Sequence, residues 1–61
     1  MTANETTAYN KGLVSTKFAP TSYTGSLMRA FRMGKNEAAA KAGTITADQA
    51  AWLEADKVFF A

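Results

Sequence analysis

The groups able to do chemistry in this chain are few. Its 61 residues include no His and no Cys. Those two types supply the commonest general base, the commonest metal ligand and the thiolate nucleophile. The usual nucleophile–base pairs therefore have no members here. Carboxylates remain, but Glu54 and Asp56 stand two apart, and a helix turns such a pair to different faces. Ser and Thr are dense, yet the only bases near them are lysines at ordinary positions. The four glycines, Gly12, Gly25, Gly34 and Gly43, are scattered and build no loop that could cradle a phosphate. So short a chain also has little room for a pocket that excludes water. These residues argue against an enzyme, a cofactor, a bound metal and a small-molecule substrate.

A second constellation is cationic. Arg29-x-x-Arg32-x-x-Lys35 keeps three cations near one side of a helix, with Tyr23 and Phe31 close in sequence. Cations mixed with aromatics suit a surface that contacts phosphates and stacks on bases. Residues 1–35 hold Lys11, Lys17, Arg29, Arg32 and Lys35 against Glu5, a net +4; residues 36–61 hold Lys41 and Lys57 against Glu37, Asp48, Glu54 and Asp56, a net −2. The whole-chain charge of +2 is low for a dedicated nucleic-acid binder. Binding to nucleic acid or another anionic surface through Arg29, Arg32 and Lys35 is thus the alternative reading, not the leading one.

The elements that would position these groups can be placed from local signals. Gly43 is suited to end a helix in the left-handed conformation. Thr46 with Gln49 three residues later forms a Thr-x-x-Gln capping box, and Asp48 adds an anion where the helix dipole favours it. This corner joins a helix over about 26–42, capped by Ser26 or Thr24, to a helix over about 46–60. In the first, Leu27, Ala30, Phe31, Gly34 and Ala38 share a face. Two readings of Gly34 compete: a continuous helix in which Gly34 admits a close backbone neighbour, or a break with Asn36 as a new cap. The i,i+4 pair Glu37–Lys41 favours continuity. In the second helix, Ala51, Trp52, Ala55, Val58 and Phe59 cover an arc of about 120°. That arc is expected to pack on the first helix, with Trp52 and Phe59 meeting Leu27 and Phe31. Leu53 and Phe60 fall on another strip, expected to meet a partner chain or else to close a core with Leu13 or Phe18.

Residues 1–25 lack a sustained period of 3.6 or 2. They read as a Thr/Ser-rich extended arm, with a turn at Asn10-Lys11-Gly12, a short strand at Leu13-Val14 with Phe18, and Pro20 blocking any helix through it. Tyr9, Phe18 and Tyr23 are spaced along it as isolated anchors.

The segment Gly43-Thr44-Ile45-Thr46-Ala47-Asp48-Gln49 resembles the Gly-x-Ile-Thr-x-x-Glu turn of the short C-terminal domains known as SHOCT. The resemblance covers these seven residues. Ala50 stands where that family has an aromatic, and its following basic run is missing. The resemblance implies at most an interaction module.

The expected fold is mainly α: an arm over 1–25, then a helical hairpin over 26–61. A 61-residue chain has a marginal core, and without disulfide or metal a partner or self-association is the remaining staple. The expected function is a non-enzymatic structural or accessory subunit. It would bind a larger protein assembly through the arm and an apolar helix face, using Tyr9, Phe18, Tyr23, Leu53 and Phe60. A minor or cement-type virion protein fits that description. No apolar run suits a signal peptide or approaches the ~20 residues of a membrane span. The expected location is intracellular or within a macromolecular particle.

Overall fold

The computed structural model describes residues 1–61. It is mainly helical, with 70% of the residues in three helices and no strand. These are α1 (Ala3–Val14), α2 (Ser26–Ala42) and α3 (Ala47–Phe60). The central element is α2: α1 packs against one of its sides and α3 against another.

The first helix corrects the expected extended arm. It starts at a Thr-x-x-Glu capping box formed by Thr2 and Glu5. The Glu5 amide donates to Thr2 Oγ1 (3.2 Å), and the Thr2 amide donates to Glu5 Oε1 (2.6 Å). Two orphan amides of the first turn are thereby satisfied, which offsets the poor helix propensity of Thr6 and Thr7. The tripeptide Asn10-Lys11-Gly12 continues this helix rather than turning, and Leu13-Val14 ends it rather than opening a strand.

What holds α1 on α2 is close backbone approach. Ala8 and Gly12 are buried on α1, and Ala30 and Gly34 on α2, each pair at i,i+4. A Cβ built on Gly12 would collide with the Phe31 carbonyl oxygen, and one on Gly34 with the Tyr9 carbonyl oxygen. Each glycine therefore points an α-hydrogen at a carbonyl of the other helix, the geometry of a Cα–H···O contact. The second helix runs unbroken through Gly34, so the close-approach reading holds and Asn36 is not a cap. At its start the side-chain cap expected from Ser26 or Thr24 is not made. Gly25 is the N-cap residue, and Ser26 is the first helical residue.

The linker over residues 15–25 turns at Pro20, where the Tyr23 amide donates to the Pro20 carbonyl (3.0 Å). Tyr23 then packs edge-on against Phe31, ring centroids 6.0 Å apart. Ala19, Tyr23, Leu27, Tyr9 and Phe60 surround the buried trio Ala8, Ala30 and Phe31.

The α2–α3 corner is as expected. Gly43 is left-handed (φ 74°, ψ 19°). Its amide donates to the Ala40 carbonyl (3.2 Å), and the Thr44 amide donates to the Ala39 carbonyl (2.9 Å), the paired closure of a Schellman turn. The Thr46–Gln49 capping box forms with bonds of 3.1 and 3.0 Å.

The rotation of α3 is the second correction. Leu53 and Asp56 are buried and Phe60 packs on the core, while Ala51, Trp52, Ala55, Val58 and Phe59 are exposed. The strip expected to pack on α2 is outside, and of the two readings of Leu53 and Phe60 the interior one holds, though with Phe18 exposed rather than closing the core. The physical reason is Asp56. It shares a strip with Leu53 and Phe60 at spacings of three and four, and its carboxylate is held by two arginines of α2.

Candidate interaction surface

The first and fourth residues of Arg29-x-x-Arg32 project from α2 towards α3 and converge on one carboxylate. Arg32 Nε donates to Asp56 Oδ2 (2.9 Å) and Arg32 Nη2 to Oδ1 (2.7 Å), a two-pronged fork. Arg29 Nη1 adds a third bond to Oδ1 (3.2 Å). The Asp56 side chain is fully buried, whereas those of Arg29 and Arg32 are 42% and 38% exposed. The hydrogen bond to Asp56 raises the pKa of Arg32 above its already high ordinary value, so it stays charged at every relevant pH. A fully buried anion needs such partners, because an unpaired one would be very costly to desolvate.

This arrangement bears directly on the anionic-partner reading. The structure brings Arg29 and Arg32 together but directs both to Asp56, leaving the three groups with a net charge of +1. Lys35 does not join them. Its Nζ lies 5.4 Å from the Phe18 ring centroid. Asn36, one turn beyond Arg32 on α2, is buried, and its Nδ2 has no hydrogen-bond partner.

The same two arginines cover the edge of an aromatic surface on α3. Arg29 Cζ is 4.5 Å from the Phe59 ring centroid and Arg32 Cζ 5.9 Å from that of Trp52, both within cation–π range. Phe60 meets Phe59 edge-on at 4.9 Å. Trp52 and Phe59 remain 48% and 52% exposed, and Val58 75%. With the exposed Ala51 and Ala55 they form one continuous strip along the helix, since steps of three and four residues return to the same side. The arginines hold the aromatic rings on one flank, so ordering them on binding loses little side-chain freedom.

The five residues expected to bind a partner are placed differently. Tyr9 is half-buried between α1 and α2 and its hydroxyl donates to Glu37 Oε2. That bond raises the Tyr9 pKa above the ordinary tyrosine value, with burial and the Glu37 charge acting in the same direction. Tyr23 is half-buried on Phe31, Leu53 is buried, and Phe60 is packed on the core. Phe18 alone is open, at 94% exposure. Trp52, Val58 and Phe59, expected to pack on α2, are the open large apolar residues of α3 instead. One sequence signal bears on this: Asp56 lies on the Leu53–Phe60 strip, and Arg29 and Arg32 lie at a spacing that lets both reach it.

The molecule has no pocket, no cluster of three or more potential metal-ligating His, Cys, Asp or Glu, and no helix long and apolar enough to cross a membrane. No protein-family model, curated protein or solved structure matches the chain.

Proposed function

We propose that the protein is a small non-enzymatic subunit that binds a larger protein assembly through the apolar face of α3. One observation carries this reading: Trp52, Val58 and Phe59 are exposed together on one side of a chain whose buried apolar residues are only Ala8, Ala30, Phe31, Met33 and Leu53. A domain with so small a core gains stability from any partner that binds only its folded form. Aromatic residues flanked by arginine are also the side chains that contribute most at protein interfaces. Phe18, on the linker beside Lys35, offers a second and smaller contact.

The test uses substitutions on the open strip. Trp52→Ser with Phe59→Ser removes the aromatic groups while Leu53, Asp56 and Phe60 keep α3 on α2. The tagged variant should retain its far-UV circular dichroism and lose co-sedimentation with the high-mass fraction of its native source. Undiminished co-sedimentation of the folded variant would refute the reading.

A further inference from the structure

We infer that the α3 face binds a second copy of this chain, as an antiparallel helix pair with its two-fold axis at Ala55. The inference rests on the reading of that face as an interaction surface and names an occupant for it. The exposed strip consists of Ala51, Trp52, Ala55, Val58 and Phe59. These positions are symmetric about 55: two lie three and four residues before it, and two lie three and four residues after. A two-fold axis through Ala55 therefore sets Ala51 against Phe59 of the second copy, and Trp52 against Val58 of the second copy. In both pairings a large side chain meets a smaller one, and the small Ala55 meets itself on the axis. Large-against-small matching is what lets two helices interdigitate at the 8–10 Å separation typical of packed helices. A parallel pairing would set Trp52 against Trp52 and Phe59 against Phe59, crowding one level and leaving Ala51 and Ala55 facing gaps.

Charge supports the same orientation. Asp48 lies one turn before Trp52 on the same side of α3, at its N-terminal end. Arg29 lies over Phe59, at the C-terminal end. Antiparallel pairing brings each Asp48 toward the end of the second copy that carries Arg29, whereas parallel pairing brings like charges together at both ends.

The area sets the strength. Two half-exposed aromatics contribute about 200 Å² per copy, and Val58 and the alanines bring the strip to about 400 Å². Pairing then buries about 800 Å² in total, below the ~1,200–2,000 Å² of a stable interface. An interface of that size belongs with weak, transient contacts, so pairing is expected only at high protein concentration.

The experiment combines sedimentation equilibrium with single-cysteine cross-linking, which is unambiguous because the chain has no cysteine of its own. Between about 20 µM and 2 mM the average mass should rise from that of the 6.5 kDa monomer toward twice that value. Ala55→Lys, which places two ammonium groups on the axis, should hold the protein monomeric at both ends of the range while leaving its circular dichroism intact. Oxidation with diamide should link Ala55→Cys to itself. Ala51→Cys should not self-link, because antiparallel pairing separates the two copies of that position by about 12 Å along the helices, beyond disulfide reach. A parent protein that stays monomeric at 2 mM overturns the inference, as does self-linking of Ala51→Cys equal to that of Ala55→Cys. The assembly-binding proposal is judged separately. A monomeric parent whose co-sedimentation is still lost on Trp52→Ser/Phe59→Ser overturns only the pairing. A dimer whose co-sedimentation survives those substitutions overturns only the assembly reading.

Discussion

Gly34→Ala is the sharpest probe of how this fold holds together, because two effects of opposite sign compete. On an open helix, alanine in place of glycine stabilises by about 1 kcal/mol through propensity alone. At Gly34 the added Cβ would collide with the Tyr9 carbonyl oxygen and come within 3.1 Å of the Leu13 amide nitrogen. Both are backbone atoms inside α1, so no side chain can swing aside. The helices must separate, which weakens the reciprocal contact at Gly12 as well. Overpacking by one methyl group in a close interface costs about 1–3 kcal/mol, and each lost Cα–H···O contact a further ~0.5–1 kcal/mol. Set against the propensity gain, the net loss is about 1–3 kcal/mol. For a domain of this size 1 kcal/mol moves Tm by about 4–8 °C, so a far-UV thermal melt should fall by roughly 5–20 °C. Gly12→Ala should act in the same direction. The double variant should lose less than the sum, because the first insertion already opens the interface. A Gly34→Ala melt at or above that of the parent would refute close backbone packing as the basis of the α1–α2 interface.

Three further outcomes follow from individual contacts. Asp56→Asn removes the charge that Arg29 and Arg32 share; since both arginines are partly exposed and can turn to water, the expected loss is about 1–3 kcal/mol rather than the 3–5 of a sealed pair, and an unchanged denaturation midpoint would contradict the anchoring role. Thr2→Ala and Thr46→Ala each remove one capping box and should each cost about 0.5–2 kcal/mol; a Thr2→Ala protein with undiminished helicity would count against α1 as described. Tyr9 has a folded pKa raised above the unfolded value of about 10, so its bond to Glu37 contributes stability that is complete below pH ~10 and lost as pH rises through the raised folded value. Tyr9→Phe should therefore be less stable than the parent near neutral pH, and the difference should shrink in strong alkali; a difference that grows with pH would reverse the sign of the argument.

The parts of this fold that were legible in the sequence are the ones determined locally. The Gly43 stop, the Thr46–Gln49 box and the extents of α2 and α3 depend on neighbours within one turn, and local residue chemistry suffices to place them. The close approach at Gly34 was legible as one of two readings, because a glycine on an otherwise apolar helical face has few other uses. The first helix was missed for a physical reason. Its packing residues, Ala8 and Gly12, are small, and a small-residue stripe gives no hydrophobic period. The Thr2-x-x-Glu5 signature, the same type of motif as Thr46-x-x-Gln49, is the local signal for this helix, and it stands in a Thr-rich stretch of low helix propensity. The rotation of α3 was missed because it depends on contacts between helices. Counting apolar residues on α3 favours the Trp52–Phe59 strip, whereas the meeting of Asp56 with Arg29 and Arg32, together with the packing of Leu53 and Phe60, turns the other strip inward. The candidate surface on α3 follows from the same rotation: its open residues are the ones that periodicity places inside, whereas Phe18 on the linker is open as expected.

Trp52 is the chain's only tryptophan, so its fluorescence reports on the α3 face without labelling. Acrylamide quenching of the dilute protein, well below the concentration at which copies pair, measures directly whether that face is open. The indole should be quenched readily in the folded monomer, with a rate between those of free and buried tryptophan, and protected once the assembly is added. An indole shielded in the dilute folded monomer as fully as a core residue would place Trp52 inside the molecule and contradict the assignment of α3's apolar face as a binding surface.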